Sequence, residues 1–199
     1  MTITVSSTYL GSTSYYKILA GASTVLTEVH DHYCRQTQRT RTSIMGANGI
    51  ETLTVPVVKH AEDTFVKDIL INNDKKWQIE HLRAIQTAYN STPFLEFYLD
   101  DLLPYYTKPY KYLVDFNMGL QQTICNLIGI DVNQKFTQDY IKGVENDYRH
   151  LVLKHAQMPE EFAVGPYYQV FQEKFGFTPN LSIVDLLFNM GPESILYLR

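Results

Sequence analysis

At 199 residues and a formal net charge of −4, the chain has the size of one domain and lacks the broad basic surface that general nucleic-acid binding requires. A hydrophobic content of 45% suffices for a substantial core, and 15 tyrosines suit half-buried positions where a ring packs and its hydroxyl finds a partner. Two distant cysteines, Cys34 and Cys125, form neither a zinc spacing nor a disulfide framework, and no apolar run reaches the roughly 18 residues of a spanning helix.

Thr2 to Val5 can start a short strand, with no basic region or sustained apolar run to mark a signal peptide, so a cytoplasmic protein is expected. Ser6 to Ser14 has loop composition, and Ser14 can cap a helix over Tyr15 to Ala22. Thr24 to Val29 is β-branched and apolar, a second strand. A polar run from His30 to Thr42 leads to the Gly46-Ala47-Asn48-Gly49 turn, where Asn and Gly tolerate positive φ. Thr52 to Val58 reads as a strand interrupted by Pro56, and Phe65 to Ile71 as another.

Lys76 to Asn90 is predicted helical, with Ile79, Leu82, Ile85 and Tyr89 as the buried stripe and Trp77 and His81 on its flank. Pro93 to Leu103 forms a further helix that stops near Pro104. Lys111 to Ile128 is a third, aligning Leu113, Phe116, Leu120, Ile124 and Leu127. Ile130 to Phe136 forms a late strand, Glu145 to Tyr168 is irregular, and Ser182 with Asp185 fits a capping pattern for a last helix to Asn189. The interleaving of strands and helices predicts an α/β fold: an open, mostly parallel sheet with flanking helices and a largely helical C-terminal half.

The order of motifs resembles the WbqC-like family. TYLGSTSYYKILAG, CRQTQRTRTSI before a Gly-rich turn, LTVPV, the Trp77-x-x-x-His81 pair, AIQTAYNSTPFLEFY, LVDFN and YYQVFQEKFGFTPNLSIVDLLFNMGP carry the likeness, from about Ile3 to Pro192. The resemblance implies one domain over 1–199. It also implies a cytoplasmic, enzyme-like role tied to O-antigen and other surface-polysaccharide gene clusters. One departure stands out. Many members open with a His-Gln-Pro-type turn where this chain has Ser6-Ser7-Thr8 before Tyr9.

Three arginines, Arg35, Arg39 and Arg41, fall within seven positions. Guanidinium groups hold phosphate or carboxylate with paired donors in a fixed plane. In an extended segment their shared parity puts all three on one side, as a cradle for a small anion. The alternative is an ion-pair network with Glu28 and Asp31. The Ser12-Thr13-Ser14 loop ahead of a helix can offer backbone N–H groups to phosphate, or simply cap the helix. Trp77 and His81, one helical turn apart, can present a stacking ring and an acid/base imidazole, or pack as a core pair. Lys59 and His60 follow a strand end, where α/β crevices lie. Asn117 falls on the apolar face of its helix, and Asp147 with Arg149 reads as a structural pair.

No HExxH, CxxC, DxD or GxSxG pattern marks metal or serine-hydrolase chemistry. The expected protein is a transferase-like enzyme that takes an anionic activated substrate, such as a nucleotide sugar, and no metal; no cofactor is specified. Arg35, Arg39, Arg41 and Lys59 would bind the anion, Tyr9, Tyr15, Trp77 and Asn117 would line the cleft, and His81 would be catalytic. The alternative is a non-catalytic binding or accessory protein. The expected partner is a small nucleotide- or phosphate-bearing molecule, neither nucleic acid nor membrane.

Overall fold

The computed structural model describes residues 1–154 and 156–199. In chain order its main elements are β1 (Thr2–Ser6), α1 (Thr13–Ala20), β2 (Thr24–Glu28), β3 (Arg41–Gly46), β4 (Gly49–Thr54), α2 (Trp77–Tyr89), α3 (Leu95–Thr107), α4 (Leu113–Ile128), β5 (Asn133–Phe136), α5 (Gln172–Phe175), α6 (Ile183–Met190) and α7 (Ser194–Leu198). β1, α1 and β2 form a parallel crossover unit, registered from Thr2↔Thr24 to Ser6↔Glu28. β5 joins the far side of β2, also in parallel, giving the order β1-β2-β5. β3 and β4 form a separate antiparallel hairpin. The fold is α/β with an open parallel sheet and a helical C-terminal half, as the alternation of elements predicts.

Several local expectations change. The cap of α1 is Ser12, whose Oγ accepts the Tyr15 N–H at 3.4 Å, and the helix starts at Thr13 rather than after Ser14. β4 ends at Thr54, short of Pro56, because proline cannot extend a ladder. Phe65 to Ile71 is not a strand: it holds a 3-10 turn, Val66–Asp68, flanked by the single bridges His32↔Phe65 and Leu70↔Tyr112. α3 runs through Pro104 to Thr107, because the tyrosines beyond the proline are anchored. Tyr106 reaches the Tyr9 hydroxyl at 3.0 Å, and Tyr105 reaches Thr123 at 2.7 Å. In α2 the buried residues are Trp77, His81, Ile85, Ala88 and Tyr89, while Ile79 is 47% exposed. The helix is therefore rotated from the predicted stripe, and its aromatic flank faces inward.

The C-terminal helices complete the core. α6 is apolar almost all round and is buried from Ile183 to Asn189, as expected of a helix enclosed by neighbours. Its Asp185 does not cap it. The carboxylate accepts from Tyr167 at 2.6 Å and Gln169 at 2.8 Å, tying the preceding irregular segment to the helix. Burial pushes the Asp185 carboxyl above its usual range. Ser182 Oγ donates to the Leu10 carbonyl at 3.0 Å, which pins α6 to the loop after β1.

Candidate functional site

The arginines diverge. Residues 35–40 turn rather than extend, and Gln36 sits at φ 60°, so equal parity no longer means equal direction. Arg35 is exposed and borders a hollow with Tyr33, His60 and Glu62. Arg39 turns inward and is 1% exposed. Arg41 opens β3 and borders a different hollow. The expected single cradle does not form.

The Arg41 hollow encloses about 240 Å³. Arg41 and Lys154 are its cations, and among the described residues no carboxylate lines it. Ser12, Thr42, Ser43 and Ser182 add hydroxyls to its wall. The Arg41 Nε is shut off from solvent without a hydrogen-bond partner, and Arg41 makes no ion pair among the described residues. The backbone around the hollow is unusual. Among the described residues, the non-glycine residues at positive φ are Leu10, Gln36 and Asn180, with values of 44°, 60° and 57°. Gln36 and Asn180 line the hollow. Leu10 lies just behind it, its carbonyl accepting from Thr42 at 2.7 Å and Ser182 at 3.0 Å. Such conformations concentrate where a surrounding structure holds a site in shape.

A second hollow, of about 230 Å³, opens where Asp31, Arg39, Asp147 and Arg149 meet, beyond the carboxyl ends of β1 and β2. Sheets of this class bind ligands at that end. Glu28, fully buried at the end of β2, accepts from the His30 N–H at 2.8 Å, Thr137 at 2.8 Å, the Ile141 N–H at 3.1 Å and Arg149 at 3.2 Å. Arg149 also grips Asp147 through Nε and Nη2, which holds the Asp147 carboxyl below its usual range and raises the guanidinium above its own. Asp147 and Arg149 are thus the structural pair their spacing suggests. Arg39 pairs with Asp31 at 2.9 Å, while burial pulls its own pKa down and Asp31 opposes that pull. The ion-pair alternative holds for Arg39 and Asp31; it is Arg149, not Arg39, that reaches Glu28.

The remaining candidates lie elsewhere. The Tyr9 hydroxyl contacts His81 Nδ1 at 2.9 Å and the Tyr106 hydroxyl at 3.0 Å, all three residues being buried. Trp77 packs edge-on against His81 and Phe116. Burial pushes the His81 pKa down to about 4 and the Tyr9 hydroxyl above its usual value, so both are neutral at pH 7. None of these side chains lines either hollow, so the expected His81–Trp77 catalytic face is an interior network. The Tyr15 hydroxyl donates to the Ser6 carbonyl at 3.0 Å, and its oxygen lies 3.1 Å from the Gln121 side-chain amide. Asn117 is fully buried and donates to the Arg39 carbonyl at 2.8 Å, which makes it a brace for the arginine segment. Lys59 is exposed and lines neither hollow.

The start of α1 offers little to an anion. Thr13 N–H donates to the Leu181 carbonyl at 2.9 Å, Ser14 N–H to Asn180 Oδ1 at 3.3 Å, and Tyr15 N–H to Ser12. These donors are consumed within the chain. Gly11 is required here for space, because a Cβ would lie 2.5 Å from Thr8 Oγ1 and 2.8 Å from the Tyr15 ring. Sequence reasoning missed Lys154, Thr42, Asn180 and Ser182. They are ordinary polar residues far apart in the chain; the contact of the β1 loop with Ser182 brings α6 there, and the Gln38 N–H bond to the Val152 carbonyl at 2.9 Å brings Lys154.

An open parallel sheet with polar hollows beside its loops makes this an α/β protein. The chain belongs to the WbqC-like protein family, whose profile matches residues 7–161. It is similar to the uncharacterized protein Rv1507c of Mycobacterium tuberculosis, 26% identical over an alignment of 222 positions that covers 98% of this chain and 96% of the relative. No solved structure matches the chain. Among the described residues, no helix is long and apolar enough to cross a membrane.

Proposed function

We propose that this chain is a transferase-like enzyme of surface-polysaccharide synthesis that holds the phosphate-bearing end of an activated sugar in the Arg41 hollow. The observation that carries the reading is the buried, unpartnered Nε of Arg41 in a wall with Lys154 and no carboxylate among the described residues. An unpaired guanidinium nitrogen removed from water costs about 1–3 kcal/mol, and an anionic oxygen relieves that cost. The volume, about 240 Å³, suits a phosphate with part of its substituent rather than a whole nucleotide sugar. The sugar class rests on the family's association with O-antigen-type gene clusters.

A second reading, a non-catalytic accessory protein of the same pathway, is favoured by two observations. Ser6-Ser7-Thr8 replaces the His-Gln-Pro-type turn, and the Tyr9–His81 network is sealed from both hollows. Calorimetric titration with inorganic phosphate and nucleotide sugars tests the shared premise. Arg41→Ala should weaken binding at least tenfold with melting unchanged within a few degrees; equal affinity for wild type and variant would overturn the assignment. Mass-spectrometric detection of sugar transfer then separates enzyme from accessory protein.

A further inference from the structure

The hollow at the strand ends has a binding capacity that the reading above does not use. Arg39 spends only Nη2, on Ser6 Oγ and Asp31 Oδ2, each at 2.9 Å. Its Nε and Nη1 are sealed from solvent and have no partner among the described residues. A guanidinium carries five N–H groups, so roughly three stay available. Arg149 contrasts with it: Nε and Nη2 go to Asp147 and Nη1 to Glu28. Of the two arginines that line this hollow, alongside His150, Arg39 is therefore the one with N–H groups left over.

The carboxylates restrict which anion can use it. Asp31 is 33% exposed and engages Arg39 through one oxygen. Asp147 stands on the same wall. A phosphate dianion entering here meets both carboxylates at close range, where like charges repel. A molecule with a carboxylate for Arg39 and an ammonium for Asp31 meets attraction at both ends. We infer that this hollow binds a small zwitterion, its carboxylate on Arg39 and its ammonium on Asp31. At about 230 Å³ it accommodates a free amino acid or one amino-bearing sugar acid. The site is independent of the phosphate reading, since the two hollows share Leu153 as a wall and no charged residue.

Isothermal titration of the full chain at neutral pH tests this. The probes are L-alanine, 2-amino-2-deoxyglucuronic acid, and the half-ligands acetate and methylammonium. At least one zwitterion should bind tenfold or more tightly than either half, and which one binds distinguishes the amino-acid source from the sugar source. Asp31→Asn should weaken the zwitterion at least tenfold without weakening acetate. Arg39→Met should abolish binding, and Arg41→Ala should leave it unchanged. If Arg39→Met does not fold, Asp31→Asn alone decides, because that side chain is partly exposed. Absence of binding by both zwitterions to wild type, acetate binding as tightly as they do, or an unchanged Asp31→Asn would overturn the inference.

Discussion

Gln36 shows how one backbone angle redirects the chemistry of a segment. Read as an extended strand, Arg35, Arg39 and Arg41 share a side. The left-handed turn at Gln36, φ 60°, sends Arg35 to the surface and Arg39 inward, with Arg41 entering β3. The presence of three guanidinium groups was legible in the sequence; their directions were not, because nothing local requires a glutamine to adopt positive φ. That conformation costs a residue with a Cβ about 1 kcal/mol. The Gln36 side chain is exposed, so little packing offsets the cost. Gln36→Gly should raise stability by about 0.5–1 kcal/mol in urea unfolding. If the hollow needs the glutamine amide, phosphate affinity should fall in the same variant. A loss of stability would mean that Gln36 makes contacts that outweigh its strain.

At the scale of elements, periodicity located α2 and α4 well but oriented only α4. In α4 the apolar row is unambiguous: Leu113, Phe116, Leu120 and Ile124 are buried and Leu127 is half-buried. In α2 two stripes compete, and the winner contains Trp77 and His81 because His81 Nδ1 meets the Tyr9 hydroxyl and the Trp77 ring packs on Phe116. Hydropathy counts a histidine as polar and has no knowledge of a tyrosine 72 positions away that will bond to it. The end of α6 was legible to within a residue, Asn189 against Met190, but what enforces it was not. Gly191 stops that helix at φ 54°, and a Cβ there would lie 2.6 Å from the Phe94 ring that precedes α3. Positive φ and the absence of room act together, so Gly191→Ala should destabilise the fold by about 2 kcal/mol or more. Thermal or urea denaturation reads this directly, and a cost below about 0.5 kcal/mol would show that Phe94 can move aside.

For the whole molecule, the buried histidine couples stability to pH. His81 is 6% exposed and its pKa falls from 6.5 to about 4 through burial. Between those values the unfolded chain takes up a proton that the folded chain refuses, so stability drops as pH falls from about 6.5 to about 4. At about 1.4 kcal/mol per unit, the full loss is about 3 kcal/mol below pH 4. Asp185 acts in the opposite sense: its raised pKa lets the folded state keep a proton that the unfolded chain has released, a contribution present at low pH and lost as pH rises through the folded value. The net acid profile therefore mixes two slopes, and His81→Gln separates them. At neutral pH the variant should be less stable than wild type, since glutamine fills the aromatic pocket poorly and disturbs the Tyr9–Tyr106 network. Between pH 6.5 and 4 that gap should close, because only wild type carries the refused proton. Urea unfolding at about pH 7, 5.5 and 4.5 measures it. A gap that stays constant across the series would mean that His81 titrates alike in both states, and the sealed network would then have to be open to water.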